Sequence, residues 1–439
     1  MRRWRGVIVA GVVASLAWLV PQSFGQVVPV PIGGRNAVVG GVYVDPDGAL
    51  RAREQDAKEL DALRAKVKDK AGFSKLMAAP DGAVTCVSLP RAFAKAKEAI
   101  DAGKPVPDDI KYLAGLTRIR YVFVYPEEKD LVIAGPAEPF DAAANPAQPL
   151  GKTTGRPVLH IEDLVVALRS TQLLRNGGGF IGCSIDNKPG GLNQLETLIA
   201  KYQNGPRETM KQEIAKASPP QTVSVIGVPG DSRLALALVA ADYKLKTICM
   251  NIESTPITEI GHIVSDERTS AARLWYELSY HAMAVSKDSN AYELRGQRVK
   301  VLAGSQMYDA RGATRAAEQF AEHYSKHMEE LAALLPAIAD LQNVADQVML
   351  ASLIQSDKLD TRVAWDTAWL FDLKGFPTAS YNVPKTTPTL VGITGKSVVR
   401  GGVSFMPGSF LQASSRAVAE KDLPMSRPAE GQYILPPAK

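Results

Sequence analysis

The loop at residues 228–233 carries the side chains of this sequence that are best placed for binding chemistry. It reads Val-Pro-Gly-Asp-Ser-Arg and separates an apolar, strand-like run from an apolar, helix-like run. In an open α/β sheet, ligands favour the crevice beyond the carboxyl ends of the strands, and a helix N-terminus offers free N–H groups to an anion. The predicted binding residues are Gly230, Asp231, Ser232 and Arg233.

Two other interpretations of the same loop stay open. Asp231 or Ser232 could simply cap the helix by accepting hydrogen bonds from its first-turn N–H groups. The run Gly-Asp-Ser also resembles the start motif of certain serine esterases, which place an aspartate three residues before the activating histidine. None of the five histidines here has an aspartate at that spacing, and a nucleophile needs a base held by a third group. A hydrolase that uses this loop is therefore the alternative function.

His323, His327 and Glu330 form a second candidate site. They stand at helical spacing on one predicted helix flank, and two histidines plus a carboxylate can hold a divalent metal. A fourth ligand would have to come from elsewhere, and no HExxH motif is present. The competing interpretation is a histidine at the edge of the apolar seam that hydrogen-bonds to a neighbouring element.

The run GITGKS (392–397) imitates a phosphate-binding loop. The motif needs a glycine five residues before Gly395, and that position is Leu390. Neither this run nor any other motif predicts a nucleotide or another cofactor.

Three cysteines, Cys86, Cys183 and Cys249, remain for disulfide or thiol chemistry. An oxidising compartment would permit one disulfide among them and leave one thiol over. Each cysteine is flanked by strand-like apolar residues, so the sequence favours three buried thiols.

The N-terminus predicts a secretory signal peptide. Arg2, Arg3 and Arg5 precede an apolar run at residues 6–20, and Ser23 and Gly25 stand at the two positions that a signal peptidase reads. The run is short for a membrane span. We therefore expect cleavage after Gly25 and export to the periplasm, the cell surface or the medium.

The charge balance argues against nucleic acid as a partner. The chain has 51 Lys and Arg and 46 Asp and Glu, and the signal peptide holds three of the arginines and no acid. A near-neutral mature chain has no electrostatic reason to bind nucleic acid. No later run is long and apolar enough to span a membrane. The predicted partner is an envelope protein or a small ligand.

The periodicity of the rest of the chain predicts an α/β fold. A hairpin is expected around residues 119–135, and alternating strands and helices over 160–253 predict a mixed or parallel sheet covered on both faces. The helix-like run from residue 233 is apolar nearly all round and should be buried. LKTICMNI (residues 245–252) is expected to be a strand. A helical hairpin follows, and Pro336 suits the first turn of its second helix.

Changes in pattern along the chain predict seven parts: a signal peptide (1–25), an N-terminal α+β domain (26–135), a proline-rich linker (136–157), a central α/β domain (158–310), a helical hairpin (311–355), a β-rich C-terminal part (356–420) and a disordered tail (421–439).

Several strings resemble an exported family of unknown function from planctomycete bacteria. The resemblance spans roughly residues 40 to 260, and a weaker resemblance is present at residues 341–354. Its strings are GGVYVDPDGAL (40–50), RYVFVYPEEKDLVIAGPAEPF (120–140), HIEDLVVALR (160–169) and VPGDSRLALALVAADYKLKTICMNIE (228–253). The family has no assigned chemistry, so the resemblance implies export and no activity. Because no triad, metal motif or cofactor fingerprint is present, the sequence favours a non-catalytic binding or scaffold module over an enzyme.

Overall fold

The computed structural model describes residues 38–45, 48–52, 56–78, 84–177, 179–188, 197–198, 200–201, 207–263, 271–279, 283–304, 312–390, 398–405 and 418–420. The predicted signal peptide, the predicted tail and the run GITGKS lie outside these residues.

The strands of the described residues are, in chain order, β1 (Val42–Val44), β2 (Leu50–Ala52), β3 (Val84–Ser88), β4 (Tyr121–Tyr125), β5 (Asp130–Pro136), β6 (Phe140–Asp141), β7 (Leu150–Gly151), β8 (Ile181–Asp186), β9 (Gln221–Ile226), β10 (Ala271–Leu278), β11 (Met283–Ser286), β12 (Ala291–Leu294), β13 (Val299–Gly304), β14 (Thr386–Thr387), β15 (Val398–Phe405) and β16 (Val418–Glu420).

The α-helices for which bounds are defined are α1 (Ala57–Lys68), α2 (Lys70–Ala78), α3 (Leu89–Asp101), α4 (Asp108–Lys111), α5 (Ile161–Gly177), α6 (Arg207–Ala217), α7 (Arg233–Cys249), α8 (Arg315–Lys326), α9 (Met328–Leu334), α10 (Pro336–Ser356), α11 (Leu359–Arg362) and α12 (Ala368–Phe371).

Two six-stranded sheets organise the fold. The first has the order β13-β10-β15-β8-β9-β14 and the second the order β16-β11-β12-β4-β5-β3. In the first sheet β10 and β15 run parallel, while its other described pairs are antiparallel. The α/β class and the mixed sheet are therefore confirmed, and so is the hairpin, which β4 and β5 form in register from Tyr121 opposite Ala134 to Tyr125 opposite Asp130.

The second sheet draws its strands from distant parts of the chain. It pairs β4 with β12, and β11 with β16, so segments from both sides of residues 136–157 share one sheet. Those residues, predicted as a linker, contain β6 and β7 and bury Gln148 and Arg156. The division of the chain into seven parts stays a prediction.

Helix α7 corrects one prediction, because residues 245–249 continue this helix and do not form a strand. Its side chains are buried from Arg233 almost without interruption to Cys249, so the apolar periodicity that separates a helix from a strand is lost. Asn251, with a positive φ of 53°, follows the helix end. Burial of the helix, which the sequence did predict, is confirmed.

Helix α10 lies at the centre of the described fold. It packs against α5 and α7, and α7 in turn packs against β8 and β15. Pro336 occupies its first turn as expected. Asp340, Gln342, Asn343, Asp346 and Gln347 are all buried along it. Among the described residues, no helix is both long enough and apolar enough to cross a bilayer.

Candidate functional site

Ser232 caps helix α7. Its Oγ accepts a hydrogen bond from Ala235 N (3.1 Å) and donates one to Pro229 O (2.8 Å), and its φ and ψ are extended. Asp231 faces outward and accepts a hydrogen bond from the hydroxyl of Ser380 (2.8 Å), while Gly230 is exposed. No histidine of the described residues is hydrogen-bonded to the serine, so no described base activates it as a nucleophile.

Arg233 points into the protein. Its Nε donates to Asp163 Oδ2 (2.7 Å) and its Nη1 to Asp340 Oδ2 (2.9 Å). Burial alone would lower the pKa of Arg233, but the two carboxylates raise it well above its ordinary value. Because this guanidinium already pairs with two protein carboxylates, the geometry gives no support to an anion held by Arg233. Binding by the loop 229–233 stays a prediction.

The two histidines of the predicted metal site have different partners. His323 Nδ1 lies 3.0 Å from Glu259 O, and His327 Nδ1 lies 2.5 Å from Glu330 Oε2. The helix also breaks at His327, which ends α8 before α9 begins. The single continuous flank on which the metal prediction depended is therefore absent, and within the described residues no three His, Cys, Asp or Glu side chains converge as a metal site would require.

All three cysteines are buried thiols, and none of them forms a disulfide with another. Burial raises the pKa of both Cys86 and Cys249. A buried thiol with a raised pKa is protonated at neutral pH and is a poor nucleophile. The sequence prediction of buried thiols is confirmed.

A buried ionic cluster surrounds Asp346 on helix α10. The carboxylate accepts hydrogen bonds from Arg118 Nε, Arg298 Nε and Ile119 N, each at 2.9 Å. Burial alone would raise the pKa of Asp346, but the charges of the two arginines hold it below its ordinary value. The cluster thus ties helix α10 to the segment before β4 and to the turn before β13.

Arg156 joins this cluster through Gln342. Its Nη2 donates to Gln342 Oε1 (2.8 Å), which also accepts from Arg118 Nη1 (2.9 Å). Its Nε, also buried, has no hydrogen-bond partner among the described residues. The pKa of Arg156 is lowered to about 10, mainly because the side chain is buried and further because of the positive charge of Arg118.

The described surface opens beside this cluster into a cleft of about 560 Å³. Its charged lining consists of Arg118, Arg120, Arg295, Arg298, Glu293 and Glu329. We call it the arginine cleft. Its arginines stand just before β4 and in the turn between β12 and β13, and its apolar wall includes Met77, Pro136 and Leu294.

The two carboxylates of the cleft are already engaged. Glu293 accepts a hydrogen bond from Arg295 Nε (2.6 Å) and lies 3.9 Å from Arg120 Nε. Glu329 lies 3.5 Å from Arg118 Nη1 and accepts from Gln342 Nε2 (3.0 Å). The cleft is therefore a concave site in which charged groups converge beside an apolar wall.

The cleft is not among the sites that the sequence predicted. The local signals are weak: two arginines separated by one residue at positions 118–120, and two more that bound the turn at positions 295–298. The two pairs are far apart in the chain, and only the pairing of β12 with β4 brings them together.

One segment of the chain is similar to a known protein family. Residues 183–261 match the model of a family described as "Protein of unknown function (DUF1598)". This segment runs from within β8 through β9 and α7, so it includes the loop 229–233 but no arginine of the cleft. No curated protein and no solved structure matches the chain. The chain is thus similar, over this segment, to a family whose function is unknown.

Proposed function

We propose that this protein is exported and serves as a non-catalytic binding module of the cell envelope, with its ligand in the arginine cleft. The observation that carries this proposal is the cleft itself: about 560 Å³ lined by charged side chains on one part and apolar side chains on another. Sites of this size hold small molecules. Export rests on the arginine-rich, then apolar, N-terminus.

Binding is favoured over hydrolysis by the positions of Ser232 and Arg233. The serine hydroxyl already makes two hydrogen bonds within its own turn, and the arginine is buried between two carboxylates. Neither residue belongs to the cleft lining. The arginine cleft, in contrast, offers several converging polar side chains without a nucleophile and base pair among them.

A bulky side chain placed in the cleft tests the proposal. Gln297 lines the cleft in the turn before β13, so Gln297→Trp should fill it. Gln319→Trp, on the exposed surface of α8 and outside the cleft lining, is the matched control. Native mass spectrometry of protein purified from the exporting cell should show a bound small molecule in the wild type and the control, and none in Gln297→Trp. Retention of the bound mass in Gln297→Trp would refute the cleft as the ligand site.

A further inference from the structure

We propose that the ligand of the arginine cleft places a neutral acceptor oxygen on Nε of Arg156, in a small cavity behind the cleft. This inference rests on the proposed binding function and adds a binding residue and the chemical class of the group that it binds. Three observations lead to it: an unmade hydrogen bond of a buried arginine, the size and walls of the cavity, and the charges around Arg156.

Arg156 supplies the unmade hydrogen bond. Only 4% of this residue is exposed, and its Nη2 donates to Gln342 Oε1 (2.8 Å). Its Nε is also buried but has no hydrogen-bond partner among the described residues. Buried donors rarely go without an acceptor, because an unpaired buried donor costs free energy. Arg156 can therefore bond to one more acceptor atom.

The Arg156 side chain lines a cavity of about 20 Å³. A cavity of this volume has room for about one water molecule or one ligand oxygen. Its apolar walls come from Leu76 and Met77 of helix α2 and from Ala333 of helix α9. An oxygen in the cavity would lie beside the guanidinium, and methyl or methylene groups next to that oxygen would meet apolar surface.

The cavity adjoins the arginine cleft. Met77 and Glu329 line both spaces. Methionine is unbranched and fits its shape to its surroundings, and residues 70–77 of helix α2 are all exposed or half-buried. A displacement of Met77 would therefore open the cavity to a ligand group that lies in the cleft.

The charges around Arg156 favour a neutral oxygen over an anion. Burial and the charge of Arg118 lower the pKa of Arg156, and the carboxylates of Glu329, Asp346 and Glu138 act in the opposite direction. Glu329 is also part of the cavity wall. A second negative charge beside this carboxylate would be repelled, whereas a hydroxyl, carbonyl or sulfoxide oxygen can accept the hydrogen bond without that cost.

Isotope-edited NMR on the mature chain tests the inference at the atom concerned. The Nε–H signal of Arg156 is assigned by its loss in Arg156→Lys. Dimethyl sulfoxide, which joins an acceptor oxygen to two methyl groups, should shift this signal in a saturable way, whereas dimethyl sulfide, which lacks the oxygen, should not. The Nε–H signal of Arg169 is the internal control and should stay constant, because this group already donates to Leu370 O (2.6 Å). Formate, an anionic probe, should need at least about tenfold higher concentrations than the sulfoxide.

Filling the cavity is the decisive comparison. Ala333→Leu should raise the dimethyl sulfoxide concentration at half saturation by at least about tenfold, since the probe loses a hydrogen bond to a charged donor. Ala65→Leu adds the same side chain at an exposed alanine of α1, outside both linings, and should change that concentration by less than about twofold. If Ala333→Leu does not fold, as circular dichroism would show, Met77→Phe serves instead, because it narrows the passage from the cleft.

The same two variants extend the test to the natural ligand. In protein purified from the exporting cell, native mass spectrometry should show the bound mass in Ala65→Leu and less of it in Ala333→Leu. An equal share of the bound mass in both variants would refute the contact with Arg156.

Three NMR outcomes would also overturn the inference. They are an Arg156 signal that no probe shifts, one that dimethyl sulfide shifts as much as the sulfoxide does, and one that formate shifts at lower concentrations than the sulfoxide. Any of these, together with a bound mass that Gln297→Trp loses, would keep the proposed function and refute this inference alone. A bound mass that Gln297→Trp keeps would refute the proposed function itself.

Discussion

Buried charged side chains make several of the ion pairs between elements in the described structure. Arg233 and Asp346 are each almost completely shielded from water and each bonds to side chains from other elements. Breaking such a pair leaves an uncompensated buried charge, which costs far more than an exposed ion pair contributes. These residues therefore fix the packing of helix α10 and are poor candidates for contact with a ligand.

Substitution of Ser232 separates a helix cap from a nucleophile. Ser232→Ala should lower the free energy of unfolding by about 0.5–2 kcal/mol. The reason is that the Ala235 N–H loses its acceptor, and Ser232→Asn should restore most of the loss. Urea denaturation measures both. A hydrolytic activity that disappears in Ser232→Asn at unchanged melting temperature would show instead that the protein is an enzyme.

The buried residues Asp242 and Lys246 should give the protein a minimum in its free energy of unfolding at intermediate pH. They lie one turn apart in α7 and are fully buried; neither oxygen of Asp242 has a hydrogen-bond partner among the described residues. Burial raises the pKa of Asp242 and lowers that of Lys246. The free energy of unfolding should fall as pH rises above about 4, because the aspartate then loses its proton in the unfolded chain but keeps it in the folded one. It should rise again towards about pH 10, because the lysine then keeps its proton in the unfolded chain but has lost it in the folded one.

Replacing both groups should remove this dip. Asp242→Leu/Lys246→Met should be more stable than wild type by about 1–4 kcal/mol near pH 7.5, with a flatter profile. Guanidinium denaturation from pH 4 to pH 10 measures the free energy of unfolding of both proteins. The exposed i,i+4 pair Lys97 and Asp101, 2.7 Å apart, is the control: Lys97→Met/Asp101→Leu should leave the profile unchanged. A dip that survives in the Asp242/Lys246 double variant would contradict the assignment.

Helix α7 packs against the first sheet, and helix α10 packs against α7. Both helices bury polar side chains: Arg233, Asp242, Lys246 and Thr247 in α7, and Asp340, Gln342, Asn343, Asp346, Gln347 and Ser352 in α10. Each of the six in α10 makes a hydrogen bond, for example from Asn343 Nδ2 to Pro157 O at 2.8 Å. Buried polar groups on a helix are stable only when most of them are paired, so α10 depends on the neighbouring elements that supply these partners.

Truncation of Leu238 measures the packing of α7. The side chain is fully buried, so Leu238→Ala should lower the free energy of unfolding by about 2–5 kcal/mol. Leu173→Ala on α5, at a residue that is 74% exposed, should change it by no more than about 0.5 kcal/mol. Equal small effects at both positions would show that α7 is peripheral.

For the molecule as a whole, export remains the broadest prediction. Its basis is the N-terminal segment 1–25, which lies outside the described residues. Edman sequencing of the protein recovered from the exporting cell should begin at Gln26, since a signal peptidase reads Ser23 and Gly25. A membrane-bound product that retains Met1 would contradict cleavage and would restore the three N-terminal arginines to the charge balance.

Local pattern was enough to predict the α/β class, the β4–β5 hairpin, Pro336 at the start of α10 and a capping residue before α7. The hairpin, the proline and the cap depend on neighbours within one turn or one hairpin, and the class depends on the order of such elements along the chain. Helix and strand could not be told apart at residues 245–249, because this part of the chain is buried on every side and shows no clear apolar periodicity. The periodicity of the apolar residues also did not predict that the helix breaks at His327, between α8 and α9.

Only the tertiary structure decided where the candidate site lies. Arg118 and Arg298 are far apart in sequence, yet both donate hydrogen bonds to Asp346. Nothing in the local sequence around any of the three indicates the other two. Whether an arginine faces a ligand or a protein carboxylate is set by long-range pairing, as the burial of Arg233 between Asp163 and Asp340 shows. Residue type and spacing determine what a side chain can do, and the fold determines what it meets.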